Sequence, residues 1–296
     1  MGTCAEMFGG IYPALLTPFT KDGRINRTSL ERLVRYETDL GADGFYVCGS
    51  TGESFLMSKE ERREAMEIVK ETAPGKKLIA QIGSLNVRDA EYLAKAAADL
   101  GYDAISSVAP FYYKFSFDEI RDYYFRLAGV TEVPVLVYYI PGSSGVTMGE
   151  GQLGQILADE RFIGVKFTSN DFFLLERLKK AYPDKVVLNG FDEMFLSGLA
   201  MGADGGIGST YNFMADRFIR MRQLMKDGRL AEAREIQNSV NEIIAVLLRI
   251  GVIPGCKEIL NQQGFDLGEC LPPFAPLNEE QKQLVREKII PRLARA

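Results

Sequence analysis

Lys166 stands inside an apolar run, Ile163-Gly-Val-Lys-Phe-Thr-Ser169, where a lysine is out of place. Other lysines, such as Lys77 and Lys185, fall where a strand would begin. An ammonium buried in an apolar strand is costly to desolvate, so its pKa falls and a nucleophilic amine exists near neutral pH. A Schiff base with a carbonyl substrate follows naturally. The plainer reading is an ion-paired or snorkelling lysine at a strand end. One apolar run earlier, Val135-Leu-Val-Tyr-Tyr-Ile-Pro141 carries Tyr138, whose phenol can shuttle protons to and from a carbinolamine. Most strand tyrosines are simply core aromatics. Adjacency to the lysine strand favours the chemical role here.

The absence of histidine narrows the field further. The 296 residues contain none, which excludes Ser-His-Asp and Cys-His triads, His-ligated zinc and an unperturbed base titrating near neutrality. Catalysis must rest on Lys, Tyr, Cys, carboxylates, hydroxyls or backbone groups, and no metal or other cofactor is expected.

Three turns supply polar partners. Cys48-Gly-Ser-Thr-Gly-Glu53 offers small residues, the Ser50 and Thr51 hydroxyls and backbone N–H groups, a pocket for a carboxylate or another small anion, or else an ordinary loop. Asn189-Gly-Phe-Asp-Glu193 presents Asp192 and Glu193, which suit the hydroxyls of a polyol or, alternatively, cap the next helix. Gly205-Gly-Ile-Gly-Ser-Thr210 adds Ser209, although its glycines suit a phosphate equally well. An amine nucleophile, a phenol, a carboxylate pocket and a polyol pocket together describe a class I, Schiff-base aldolase acting on a 2-oxo acid.

These groups need a scaffold that brings strand ends to one place. Short β-branched or aromatic runs alternate with longer amphipathic segments from residue 10 to about residue 225. The runs Ile11 to Leu16, Gly44 to Cys48, Leu78 to Ile82, Ala104 to Val108, Val135 to Ile140, Ile163 to Phe167, Val186 to Leu188 and Gly205 to Ile207 predict eight strands. Helical spacing lies between them, as in Leu30, Leu33, Val34 before Gly41, and Ala65, Ile68, Val69 before Pro74 and Gly75. A period of roughly 28 residues fits a βα unit, and eight units predict an α/β fold of the (β/α)8 TIM-barrel type. A doubly wound sheet is the main rival, but Pro18 and Phe19 follow the first strand where its dinucleotide fingerprint would begin. Beyond Asn212 only helical patterns remain, at Arg229 to Ile250, Pro254 to Gln262 and Asn278 to Arg295. The chain therefore divides into a barrel, 1–215, and a C-terminal helical extension, 216–296, that includes the last barrel helix and packs as one unit with the barrel.

Composition sets the remaining bounds. The 35 basic and 40 acidic residues are interspersed, with net charge -5, so no basic footprint for nucleic acid is present. Apolar runs fall short of the ~20 residues that a spanning helix needs. The first residues lack a signal-peptide pattern, and Cys4, Cys48, Cys256 and Cys270 are scattered without a C-x-x-C pair, so a cytoplasmic protein with reduced thiols is expected.

Several of these stretches together resemble the N-acetylneuraminate lyase and dihydrodipicolinate synthase superfamily. The resemblance runs from Gly10-Ile-Tyr-Pro-Ala-Leu-Leu-Thr-Pro-Phe19 through the helical tail, and its specific motifs are Gly49-Ser-Thr-Gly-Glu53, the Tyr138 strand, Gly164-Val-Lys-Phe-Thr-Ser169 and Gly190-Phe-Asp-Glu193. The chain is similar to the lyase branch. The synthase branch typically has Gly-Thr-Thr-Gly-Glu at the first motif, and an arginine where Pro141-Gly-Ser-Ser-Gly145 has Ser143. Serine cannot supply the bidentate fork that arginine offers a carboxylate.

The resemblance implies a role for each matching position. Lys166 forms the Schiff base at the substrate's C2 carbonyl, Tyr138 moves protons at its C4 hydroxyl, and Ser50 and Thr51 bind the carboxylate. Thr168, Gly190, Asp192, Glu193 and Ser209 line the sugar side, Tyr112 reaches a neighbouring subunit's site, and the assembly is a homotetramer. Tyr139 departs from the asparagine common in the family. The implied reaction is reversible cleavage of N-acetylneuraminate to N-acetylmannosamine and pyruvate. The competing expectations are dihydrodipicolinate synthase, another pyruvate-dependent aldolase or dehydratase, or a non-catalytic ligand-binding regulator.

Overall fold

The computed structural model describes residues 2–294. Eight strands are present: β1 (Ile11–Pro13), β2 (Gly44–Val47), β3 (Lys77–Gln81), β4 (Ala104–Val108), β5 (Val135–Tyr139), β6 (Phe162–Phe167), β7 (Val186–Asn189) and β8 (Gly205–Gly208). All pair in parallel in the order β1-β8-β7-β6-β5-β4-β3-β2. A parallel bridge between Ala14 and Tyr46 brings β1 to β2 and nearly closes the sheet, giving a TIM barrel with C-terminal helices. Asn212 reinforces the seam: its Oδ1 accepts from the Leu16 N–H at 2.9 Å, and its Nδ2 donates to the carbonyls of Ala14 and Ser209, each at 2.8 Å.

Strand alternation decides what faces the barrel interior. On β5, Leu136 and Tyr138 join the interior cluster, whereas Val135, Val137 and Tyr139 pack against the surrounding helices. Tyr139 stacks on Phe167, with ring centroids 5.4 Å apart, and its hydroxyl accepts from the Met148 N–H at 3.4 Å. The departure from asparagine therefore lies outside the barrel. On β6, Gly164 takes φ 153°, and a Cβ there would sit 1.9 Å from the Val186 carbonyl oxygen. Only glycine permits this close approach to β7.

Amphipathic helices such as Arg27–Asp39 and Lys59–Thr72 cross between strands, closing at the predicted glycine and proline signals. A short helix that sequence reading did not foresee, Cys4–Phe8, precedes β1. Thr3 and Glu6 form its capping box, and Phe8 enters the barrel-interior cluster.

After β8 the described chain is helical: Tyr211–Lys226, Leu230–Ile250, Val252–Gln262, Glu279–Leu284, a π-helical turn Val285–Ile289, and Ile290–Leu293. The single helix expected from Asn278 is thus broken by a π turn, and Arg295, its expected end, lies outside the described residues. Among the described residues no helix is long and apolar enough to cross a membrane.

Candidate active site

Tyr138 and Lys166 are register partners on β5 and β6, so strand pairing alone sets them side by side. Lys166 Nζ lies 4.1 Å from the ring centroids of both Tyr138 and Tyr46. The two rings meet edge to face at 6.0 Å, and the Tyr46 hydroxyl donates to Ser106 Oγ at 3.1 Å. Lys166 is only 4% exposed. Burial lowers its pKa from 10.5 to about 7, and the negative charge of Asp192 resists that fall. Lys179 pairs with Asp204 and Lys257 with Glu53, but Lys166 has no ion-pair partner among the described residues. A buried ammonium with no ion-pair partner can lose its proton near neutrality and act as a nucleophile, although the flanking π faces favour the cation.

Burial holds the Tyr138 phenol above its usual pKa, and the facing Ser50 and Thr168 hydroxyls offset part of the rise. Thr168 Oγ1 itself is buried and has no partner of full hydrogen-bond geometry among the described residues. It fits only because residue 190 is glycine: a Cβ there would lie 1.9 Å from Thr168 Oγ1.

The turn after β2 is the candidate anion pocket. Its Gly52, Glu53 and Ser54 amides donate within the turn, to the carbonyls of Gly49, Ser50 and Gly49. No backbone acceptor takes the Ser50 or Thr51 amides among the described residues. Thr51 Oγ1 and Ser209 Oγ share a hydrogen bond of 2.7 Å, joining this turn to the one after β8.

Asp192 Oδ2 accepts from the Thr210 N–H at 2.8 Å and from Thr210 Oγ1 at 2.7 Å. Burial raises the Asp192 carboxyl to about 6 against those bonds, so it is ionised at neutral pH. Of the alternative role at the next helix, the cap is absent, because no side chain caps the turn Asp192–Met194 or the helix Phe195–Ala200, but both carboxylates do lie in the first turn of Asp192–Met194.

Lys166, Tyr138, Ser50, Thr51, Thr168, Gly190, Asp192, Glu193 and Ser209 all line one cavity of about 280 Å³ at the C-terminal ends of the strands. Tyr112 does not line it. That residue is 73% exposed and packs edge to face on Tyr113 at 5.0 Å. Ser143, in the short helix Pro141–Ser144, is also exposed and outside the lining. Sequence reasoning missed Tyr46 and Thr210, and it missed the apolar wall of Ile244, Leu247, Leu248, Val252 and Ile253. Tyr46 had a signal in the inward phase of β2. Thr210 acts through a partner 18 residues away, which no local pattern reveals.

Residues 7–291 match the model of the Dihydrodipicolinate synthetase family. The chain belongs to this family. Its fold and much of its sequence are shared with solved members. A Clostridium difficile protein in complex with mannosamine is 42% identical, covering 95% of this chain and 97% of that one, with a TM-score of 0.93. N-acetylneuraminate lyase from Fusobacterium nucleatum complexed with pyruvate is 42% identical over 94% of this chain and 95% of that one, TM-score 0.90. Sialic acid aldolase from Ruminococcus gnavus is 30% identical over 97% of each chain, TM-score 0.94.

Proposed function

We propose that this member of the family is a class I aldolase that reversibly cleaves N-acetylneuraminate to N-acetylmannosamine and pyruvate. The observation that carries the reading is the Lys166 amine, buried without a counter-ion beside the Tyr138 phenol in a cavity with one anion pocket and one polyol side. Relatives solved with pyruvate and with mannosamine support both halves of that substrate.

In this reading the neutral Lys166 amine attacks the C2 ketone, and the carbinolamine takes up one proton from solvent and loses water to give an iminium, the proton being returned when the final iminium is hydrolysed. The iminium draws the electrons of the C3–C4 bond, which breaks as the C4 hydroxyl loses its proton. A phenol kept neutral by burial is a poor resting base, so Tyr138 relays: it takes the C4 proton while passing its own to the substrate carboxylate held by Ser50 and Thr51. Asp192, Glu193, Thr168 and Ser209 hold the sugar hydroxyls, with Gly190 leaving Thr168 its space. Protonation of the enamine at C3 and hydrolysis release pyruvate and restore the amine.

The same reading takes the barrel and C-terminal helices as one functional unit in a cytoplasmic homotetramer, with Tyr112 offered to a neighbouring subunit. The exposed aromatic surface of Tyr112, Tyr113 and Phe115 and the free cysteines support it.

Borohydride reduction with pyruvate present, followed by peptide mapping, tests the chemistry. The adduct is expected on Lys166, and an adduct elsewhere or none defeats it. Pyruvate release from N-acetylneuraminate, compared with other 2-oxo sugar acids, tests the substrate. Turnover of those acids alone would reassign it within the family.

A further inference from the structure

The helix Leu230–Ile250 both walls the cavity and grips the turn that carries its acidic side chains. Ile244, Leu247 and Leu248 face the cavity. Gln237 and Asn241 precede Ile244 by two turns and one turn, hence on the same helix face. Gln237, 7% exposed, accepts at Oε1 from the Leu196 N–H at 2.9 Å. Its Nε2 donates to the Asp192 carbonyl at 3.1 Å and to Asn241 Oδ1 at 2.9 Å. Asn241 Nδ2 then donates to the Glu193 carbonyl at 3.1 Å. Two side-chain amides thus hold the backbone of Asp192, Glu193 and Leu196, at a turn that lacks a cap of its own.

The Asp192 carboxylate has a second anchor in Thr210, but the Glu193 carboxylate receives no hydrogen bond among the described residues. Glu193 is therefore aimed by its backbone, and its backbone by Asn241. Tyr138 and Lys166, on β5 and β6, make no contact with this ladder in the hydrogen-bond network.

We infer that Gln237 and Asn241 are positioning residues for the polyol end of the substrate, an inference that rests on the aldolase reading. The C-terminal helix sets where the acidic side chains meet sugar hydroxyls, while the barrel strands independently set the Schiff-base end. Misplacement on the order of 1 Å at such contacts costs about 10²-fold.

The test uses the full enzyme with Asn241→Asp, Asn241→Leu and Gln237→Met. Asn241→Asp keeps the acceptor for Gln237 Nε2 and loses the donor to Glu193, so it separates aiming from folding. Gln237→Met is the more disruptive change, and thermal melting identifies a variant that fails to fold. Three quantities are read: KM for N-acetylneuraminate cleavage, Kd of N-acetylmannosamine for the borohydride-trapped enzyme, and the pyruvate concentration giving half-maximal trapping.

KM and Kd should rise at least about tenfold in the Asn241 variants, with pyruvate trapping within about twofold of the parent. Parallel weakening of trapping, or KM and Kd that stay within about twofold, overturns the inference. If the parent traps pyruvate on Lys166 yet leaves N-acetylneuraminate intact, the substrate reading fails by itself. The variants are then compared on whichever 2-oxo sugar acid releases pyruvate, and a panel with no substrate overturns both proposals.

Discussion

Lys166 Nζ lies 4.1 Å from the centre of the Tyr138 ring, on the neighbouring strand and at the same register level. The amine and the phenol are thus delivered together by strand pairing, and their protonation can be read separately.

The first prediction concerns the amine. Its pKa of about 7 means that free amine accumulates as pH rises through that value. The rate of borohydride-dependent pyruvate trapping should therefore increase from pH 6 to 8 with a midpoint near 7. The Asp192 charge raises the Lys166 pKa, so Asp192→Asn should move the midpoint to lower pH while weakening sugar binding by about tenfold or more. A midpoint that moves upward, or remains near 10.5, contradicts this electrostatic account.

Tyr138→Phe removes one oxygen and leaves the ring that flanks the lysine. Trapping of pyruvate should survive at a lower rate, because the amine nucleophile remains while water must supply the proton that dehydrates the carbinolamine. Cleavage should fall by about 10²- to 10⁴-fold, the usual contribution of a positioned proton-transfer group. Steady-state kcat beside trapping in the same preparation decides it, and a kcat within about tenfold of the parent would move the proton relay elsewhere.

The strands were legible because parallel strands covered on both faces read as continuous apolar runs, and Ala104–Val108 lies where its run predicts. The lysine and tyrosine were legible for a related reason: polar residues inside such runs conflict with their surroundings and mark chemistry. The Gln237–Asn241 ladder carries no comparable mark. Its partners are 45 and 48 residues away, and an amide on an amphipathic helix looks like any surface residue. Thr3-x-x-Glu6 was a readable capping box for the first helix. The helix that it caps, Cys4–Phe8, is too short to show an apolar period of its own.

The Glu53–Lys257 pair ties the turn after β2 to the helical extension, and a third prediction follows from it. Lys257 Nζ and Glu53 Oε1 are 2.6 Å apart, with side chains 2% and 0% exposed. Glu53 Oε2 also accepts from the Leu271 N–H at 2.6 Å. Lys257→Met leaves the buried carboxylate unpaired and should cost about 3–5 kcal/mol in denaturant unfolding. Adding Glu53→Gln should recover part of the loss, since no uncompensated charge remains. A double variant no more stable than Lys257→Met would show that the pair is not the source of the cost.

Glu37 supplies the last prediction. It sits within the helix Arg27–Asp39, fully buried, and neither carboxylate oxygen has a hydrogen-bond partner among the described residues. Burial drives its pKa well above the usual carboxyl value. In the unfolded chain the group ionises near ~4.3, so above that pH folding requires it to take up a proton. The contribution of Glu37 to stability is therefore greatest in acid. It should decline by up to about 1.4 kcal/mol per pH unit between the unfolded and folded pKa values. Glu37→Leu removes this titration and fills a similar volume. Denaturant unfolding of parent and variant should show the variant's advantage growing from pH 5 to pH 8, whereas a constant difference would mean that Glu37 does not titrate on unfolding.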